Sequence, residues 1–367
     1  MIEFLTLKPE SFGLDISNLS LKIIKLKKRG RFFSLQSWGE TELKQGIMED
    51  GEIKDTAKLA EIIREGVKKV KGEQLGTKNV IASLPEKKAF LQVIQMPKME
   101  KEELKKALPF EAENYIPLPV EKVYLDFLEI KPRKNHLNYS DVLIVAVPKK
   151  TIDPYLISFK KAGLNLQALE VESQSIARAV IKNEVSSFPV LIIDFGKTSA
   201  SFIVFSGSSL RFTSSIPICS QKITESISRL LRVDLQEAEK LKIKYGLQGG
   251  KGEAKKVFEA SRPIMLDLIK QIKKYIDYYH GHRAHERLEL KKSGIKKIIL
   301  CGRGANLKGF SGLLSVKLKM PVKIANPWIN ILPEPLKEVP GLSYKNSLGY
   351  TTALGLALRG IGEDFNS

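Results

Sequence analysis

The chain has 367 residues, 43% of them hydrophobic, which exceeds one typical domain and suffices for two or more subdomains with sizeable cores. Its net charge of +19 is spread over scattered basic runs, Lys22–Arg31, Lys68–Lys71 and Lys291–Lys297, with no nucleic-acid motif beside them, so they read as solvated faces first and as an anionic membrane or partner surface second. Two distant cysteines, Cys219 and Cys301, outside any CxxC pair, argue against zinc and a disulfide framework and for a reducing compartment, and no stretch approaches the roughly 20 apolar residues of a membrane span.

Met1 to Ser11 has no charged head, long apolar run or small-residue cleavage site, so no signal peptide is expected. The first elements are a strand, Phe12–Ile16, a polar turn, Ser17–Ser20, and a second strand through Leu21, Ile23, Ile24 and Leu26. Phe32–Leu43 alternates as a third strand. A helix begins at Asp55, carries Leu59, Ile62, Ile63, Val67 and Val70 at helical spacing, and is expected to end at Gly72. Val80–Leu84 is a buried strand stopped by Pro85. Ala89–Met96 is a strand, and Glu100–Tyr115 an amphipathic helix with a kink or break expected at Pro109.

Tyr124–Ile130 and Asp141–Val147 are strands joined by a basic loop around Pro132–Asn138. Thr151–Ala162 is a helix stopped by Gly163. Leu169–Glu172 leads into a helix over Ser173–Asn183. Val190–Ile193 is an all-apolar strand running into Asp194-Phe195-Gly196-Lys197-Thr198-Ser199, followed by strands Ser201–Phe205 and Leu210–Ser214. Helices are expected over Ile223–Leu231, Leu235–Lys244 and Ala260–His280. A strand, Ile298–Cys301, opens into Gly302-Arg303-Gly304-Ala305, ahead of a helix over Phe310–Leu318, a short strand Val322–Ile324 and a closing helix over Tyr350–Leu358.

One unit occurs twice. Asp15-Ile16-Ser17-Asn18-Leu19-Ser20 and Asp194-Phe195-Gly196-Lys197-Thr198-Ser199 each end an apolar strand and lead into another. Backbone N–H groups in tight turns, small hydroxyls and a lysine suit phosphate. An ionised aspartate at the strand end cannot donate to phosphate but suits Mg²⁺, usually through water. Two such turns facing each other could clamp a triphosphate and its metal; each alone is also an ordinary hairpin. The third turn, at Gly302–Ala305, offers glycines that let backbone approach a base or ribose, or is a plain strand–helix connection.

In this order the three turns look like the phosphate-one, phosphate-two and adenosine motifs of the actin and FtsA ATPase superfamily. FGLDISNLSLKIIKL, FEAENYIPLPVEKVYLDF, VLIIDFGKTSASFIVF, EAEKLKIKYG, IILCGRGANLKGF and ALGLALRG together resemble the PilM family of type IV pilus assembly proteins over nearly the whole chain. Glu111–Pro117 is similar to an insert signature shared with FtsA. The resemblance implies an α/β fold, a duplicated actin-like (ribonuclease H-like) ATPase with two halves around a nucleotide cleft and an FtsA-type inserted α/β subdomain. The expected division is 1–84 for the first part of half I, 85–160 for the partner-binding insert, 161–189 for the return to half I, 190–345 for half II, and 346–367 for a helix closing back on half I.

The resemblance also implies roles. Asp15 and Asp194 would sit near Mg²⁺ through water. Ser17, Asn18, Ser20 and Lys22 would border the phosphates of ATP from one side, and Gly196, Lys197, Thr198 and Ser199 from the other. Glu172 would lie near the attacking water, or else cap the following helix. Glu239 and Lys242 share a helix face and would reach the ribose and base, or else form a surface ion pair. Gly302, Arg303 and Gly304 would border the nucleoside. Ser17, Cys219-Ser220 and Arg303 stand where the family usually has glycine; each adds bulk, so at most slow ATP hydrolysis is expected.

The implied partner is the cytoplasmic N-terminal peptide of PilN, with other pilus inner-membrane proteins and self-association as further contacts. That places the chain in the cytoplasm, peripheral to the inner face of the membrane, with indirect membrane contact and no specific nucleic acid. An FtsA-like division tether and a scaffold that has lost ATP are the alternatives. A GspL cytoplasmic region and a sugar kinase of the same superfold fit less well, for want of a spanning helix in the one and a catalytic aspartate base with a sugar pocket in the other. His280, His282 and His285 resemble a metal cluster only on paper, because residues two apart on a helix point to different sides.

Overall fold

In the computed structural model the described residues are 9–30, 32–130, 138–281, 294–336 and 339–361. Met1 to Lys8, Arg31, most of the 132–138 loop, His282, Arg283, His285, Arg287, Lys291, Lys292 and everything after Ile361 lie outside them. In chain order the strands are β1 (Phe12–Ile16), β2 (Ser20–Arg29), β3 (Phe32–Glu42), β4 (Met48–Glu49), β5 (Glu52–Ile53), β6 (Lys71–Gly72), β7 (Asn79–Leu84), β8 (Phe90–Pro97), β9 (Val123–Ile130), β10 (Tyr139–Pro148), β11 (Asn165–Val171), β12 (Ser186–Phe195), β13 (Ala200–Gly207), β14 (Ser209–Ile216), β15 (Lys297–Cys301) and β16 (Val322–Ile324). The helices are α1 (Thr56–Lys68), α2 (Lys101–Ala112), α3 (Lys149–Ala162), α4 (Glu172–Val180), α5 (Ser220–Leu231), α6 (Leu235–Tyr245), α7 (Glu253–Gly281), α8 (Phe310–Leu318), α9 (Tyr344–Ser347) and α10 (Thr351–Ile361).

Among the described residues, one sheet runs β11-β7-β1-β2-β3-β6 and another β14-β13-β12-β15-β16. Without β6 the two are the same arrangement. β1 pairs antiparallel with β2 and parallel with β7, as β12 pairs antiparallel with β13 and parallel with β15. The central strands β1 and β12 are the apolar ones because both their faces are covered, so near-continuous hydrophobic runs replace alternation. Asp15 and Asp194 therefore occupy equivalent places, one residue before the end of each central strand.

Helices α1 and α3 cover one face of the first sheet, burying Leu59, Ile63, Ile152, Tyr155 and Phe159 with Phe12, Leu14 and Leu21. α10 covers the other, packing Ala353, Leu354, Ala357 and Leu358 with Ile24 and Leu26. A third sheet, β8-β10-β9, lies between β7 and α3 in the chain. One of its faces packs on α2 through Ile94, Met96, Val142 and Ile144; from the other, Leu143 and Ile130 join the core of the second half. The expected insert, 85–160, takes in most of α3, yet the buried face of that helix packs with the first sheet.

Several expected boundaries move. α1 ends at Lys68 rather than Gly72, because Lys71 and Gly72 pair with β3 at the sheet edge. α2 continues through Pro109 and stops at Ala112, short of Tyr115; Pro109 removes one internal hydrogen bond without ending the helix. α4 stops at Val180, and Asn183 sits at φ 52° in a following 3₁₀ turn. α7 begins at Glu253, seven residues earlier than its apolar stripe suggested. Gly163 caps α3 at φ 76°, as its position after the helix predicts.

Candidate functional site

The two equivalent turns are closed by their own backbones. Ser17 N donates to Ser20 O (2.9 Å) and Gly196 N to Ser199 O (3.0 Å). In the first turn the Ser17 hydroxyl donates to Ser20 O (3.0 Å) and accepts from Ser20 N (3.1 Å), so its bulk is absorbed inside the turn. Asn18 is tied back, its Oδ1 accepting from Gly51 N at 3.0 Å in the β4–β5 hairpin. In the second turn the carbonyls of Gly196 and Lys197 accept from Ser220 N (3.0 Å) and Gln221 N (3.1 Å), locking the turn to the start of α5. Among the described residues, the amides of Asn18, Lys197, Thr198 and Ser199 meet no protein acceptor. Successive free N–H groups in a turn, as at Lys197–Ser199, are the donors from which anion-binding concavities are built.

Acids gather beside these turns. Asp15 is buried; its Oδ1 accepts from the Ser83 hydroxyl (2.9 Å), which itself accepts from Ile16 N (3.0 Å), and Lys22 Nζ stands 3.7 Å from its Oδ2. Lys22 faces Asp15 because they are register partners across β1 and β2. Asp194 is half-buried, and burial with the nearby Asp15 charge pushes it up to about 6, against the pull of Lys22. Glu172 opens α4. Burial and the charges of Asp15, Asp194 and Glu86 hold its carboxyl well above the usual carboxylate range. It does not cap its own helix: its Oε2 accepts from Glu86 N at 3.4 Å. In return Ser173 N, the next residue of α4, donates to Glu86 Oε2 at 3.2 Å, so the two carboxylates tie the start of α4 to the Pro85–Glu86 backbone.

Glu86 is the site member that sequence reasoning missed. It follows Pro85 where β7 leaves the first sheet for the third, and no periodicity marks it. Burial pushes it up, against the nearby hydroxyls of Thr213 and Ser173, and its Oε1 has no hydrogen-bond partner among the described residues. Ser83, which anchors Asp15, was also unforeseen; its only signal is a polar residue inside an apolar strand.

The other predicted residues divide. Lys242 is buried and donates to Ser220 Oγ (2.7 Å), Ser220 O (3.2 Å) and Thr224 Oγ1 (2.8 Å), with Glu239 Oε2 at 2.7 Å. Burial lowers Lys242 against the pull of Glu239, and its hydrogen bonds and charge hold Glu239 down against burial. The pair thus braces α6 on α5 behind the second turn, with Lys197 close enough to act on both charges. Gly302, at φ +78°, and Gly304 have a packing reason: a Cβ on Gly302 would overlap the Asp194 carboxylate, and one on Gly304 the Phe195 ring. Arg303 turns to Glu40 of β3, 2.6 Å away, at the rim of a hollow of about 510 Å³ that also touches Trp38, Asn346 and Tyr350 and none of the other predicted site residues.

Among the described residues no three His, Cys, Asp or Glu side chains stand close enough to hold a metal ion directly. Asp15 and Asp194 nevertheless suit a hydrated divalent cation, whose charge would offset the burial and the Asp15 repulsion that together lift Asp194. His280 accepts from Ile295 N at 3.4 Å; its two suggested partners lie outside the described residues. Both cysteines are buried and free.

A family profile described as type IV pilus assembly protein PilM matches residues 13–361. Among solved structures, a PilM-PilN type IV pilus biogenesis complex superposes with a TM-score of 0.78 at 24% identity, covering 97% of this chain and 99% of that one. The ethanolamine utilization protein EutJ from Carboxydothermus hydrogenoformans gives 0.55 at 14% identity, covering 98% and 93%. MreB5 of Spiroplasma citri bound to ADP gives 0.52 at 13%, covering 97% and 98%. The fold is thus that of the actin-like ATPases. Among curated relatives, the cell division protein FtsA of Pseudomonas aeruginosa is 25% identical over 221 residues, 55% of this chain and 49% of that protein. FtsA of Helicobacter pylori is 26% identical over 103 residues, 28% and 21%. The chain spans about half or less of the length of these curated relatives.

Proposed function

Because this chain belongs to the PilM family of type IV pilus assembly proteins, we propose that it is a nucleotide-binding scaffold of the pilus assembly machinery, working in the cytoplasm at the inner face of the membrane. The observation that carries the nucleotide reading is the pair of equivalent turns with free amides beside Asp15 and Asp194. ATP with Mg²⁺ fits that donor set, and bound there it would supply a phosphoryl group whose charge the metal screens.

Ser17, Ser20 and the Asn18 amide would border the phosphates from the first half, with Lys22 supplying positive charge. The Lys197, Thr198 and Ser199 amides would do so from the second, the Gly196 turn holding them in place. Asp15 and Asp194 would bind the cation through water. Glu172, raised well above the ordinary carboxylate range, can hold or accept a proton and orient a water through its carboxyl oxygens. Gly302 and Gly304 bring the third turn against Asp194 and Phe195, and would border the nucleoside from there. Glu239 and Lys242 would support the site through α5 and α6. The segment between β7 and α3, which touches both halves, would hold the cytoplasmic N-terminal peptide of PilN, so nucleotide state and partner state are linked. Contacts with other inner-membrane pilus proteins and self-association would build on the same scaffold.

Calorimetric titration tests this reading, using ATP with Mg²⁺ on the parent and on Asp194→Ala, and a synthetic PilN N-terminal peptide on the parent. Micromolar nucleotide binding that falls at least tenfold in the variant, with the peptide binding the parent, is the expected result. Peptide binding without any nucleotide binding would leave a scaffold that has lost its nucleotide, and absence of both would overturn the proposal.

A further inference from the structure

The charge of +19 is not absorbed by the cleft, where acids predominate. We propose that the outward face of α3 is a docking surface for an anionic lipid bilayer. This goes beyond the pilus-scaffold reading, which needs only indirect membrane contact.

α3 is anchored on one side only. Ile152, Tyr155 and Phe159 are sunk in the first sheet's core. The opposite side carries Lys149, Lys150, Lys160 and Lys161, all exposed, with Leu156 and Ile157 exposed between them, 41% and 46% accessible. A lysine pair thus stands at each end of the helix, roughly 16–18 Å apart at 1.5 Å per residue, with two large aliphatic side chains in the middle. That is the composition of a helix lying in a membrane interface: cationic heads for lipid phosphates and apolar groups at headgroup depth.

None of these four lysines is paired with a carboxylate among the described residues. Lys161 Nζ donates to Thr56 Oγ1 (3.1 Å) and Lys149 Nζ lies 5.7 Å from the centre of the exposed Tyr124 ring. Asp153, the acid of this face, accepts from the Tyr124 hydroxyl at 3.1 Å. Lys78 adds a further exposed cation beside Lys160. Lys149 and Lys150 stand in the first turn of the helix, where the macrodipole disfavours cations, so their placement does not serve the helix itself.

Charge complementarity and the exposed aliphatic pair select an anionic bilayer. An acidic protein would account for the lysines but would leave Leu156 and Ile157, on an outward helix face, without a role. Each basic residue near an anionic bilayer strengthens association about fivefold. Four together give roughly two to three orders of magnitude, weakened by salt.

The test is co-sedimentation of the full chain with phosphatidylglycerol-containing vesicles and with pure phosphatidylcholine vesicles, at low and high salt. The variants are a fourfold Lys→Gln change at Lys149, Lys150, Lys160 and Lys161, and the double change Leu156→Ser with Ile157→Ser, each checked for an unchanged melting curve. Expected are salt-sensitive binding to the anionic vesicles alone, a loss of at least a hundredfold in the lysine variant, and a clear weakening in the aliphatic variant. No binding by the parent, or binding undiminished in the lysine variant, overturns the proposal. Loss in the lysine variant with no change in the aliphatic one overturns the seating of Leu156 and Ile157 among the headgroups and leaves a purely electrostatic contact. The cleft is untouched by these changes, so nucleotide and peptide titrations of the same variants report separately on the scaffold reading.

Discussion

Asp194 holds its proton up to about pH 6 in the folded protein, against an ordinary value of 3.8, because it is half-buried beside Asp15. Its folded-state pKa is raised, so between about pH 4 and 6 the folded chain binds more protons than the unfolded chain and stability falls as pH rises. A lift of this size corresponds to about 3 kcal/mol once both states are ionised. Asp194→Asn removes the charge and keeps the shape. It should therefore raise stability by about 1–3 kcal/mol at pH 8 and by little at pH 4, read from thermal melts across that range. A variant less stable than the parent at pH 8 would show that Asp194 is not a destabilising charge in the folded protein. The same substitution should weaken nucleotide binding, the usual exchange between stability and a charged site.

Glycine at the contacts of α10 sets how closely that helix approaches its neighbours. Gly13 on β1 lies against Ala353 and Ala357, where a Cβ would sit 2.5 Å from the Ala353 carbonyl oxygen and 2.6 Å from Ala357 N. A Cβ on Gly355 of α10 would overlap the Ser175 carbonyl of α4. On an exposed helix, Gly→Ala stabilises by about 1 kcal/mol through helix propensity. Here overpacking wins, because the clash is with backbone at the crossing of two helices that cannot move aside separately. Gly355→Ala should lose about 2–3 kcal/mol in urea unfolding. A gain in stability would mean that α10 rides on α4 more loosely than its packing indicates.

Across the whole molecule, ion pairs of two kinds differ in what they contribute. Glu170 of β11 is almost completely buried and takes both arms of Arg178, at 2.7 and 2.9 Å, with Arg359 of α10 at 3.2 Å. Burial pushes Glu170 up, but the two arginines outweigh it and hold it below the ordinary range. Its stabilisation is thus present above about pH 4.5 and lost as pH falls through the lowered value. Removing Arg178 leaves a buried carboxylate short of a partner, and Arg178→Ala should cost about 3–5 kcal/mol. The Glu40–Arg303 pair bridges the two halves at 2.6 Å, yet the Arg303 side chain is 60% exposed. Arg303→Ala should cost no more than about 1 kcal/mol, because water screens the pair. Chemical denaturation of the two variants side by side checks the contrast; equal losses would contradict this assignment of burial.

Sequence alone determined the two strand–turn–strand units, the apolar central strands, the order of nearly every element and the aspartates at the strand ends. These are local matters: a covered strand must be apolar, and a tight turn must be small and polar, whatever surrounds them. Boundaries slipped where tertiary contact competed with local propensity, as at Gly72, drawn into a sheet edge, and at α2, which carries Pro109 without breaking. Only the tertiary structure decided which side chains meet. Glu86 reaches α4 across 87 residues and Ser83 reaches Asp15 across 68. Lys242 is drawn to Ser220 and Thr224, and Gly302 makes room for Asp194. Such contacts depend on how sheets and helices stack, and hydrophobic periodicity records which face of an element is buried but not what covers it.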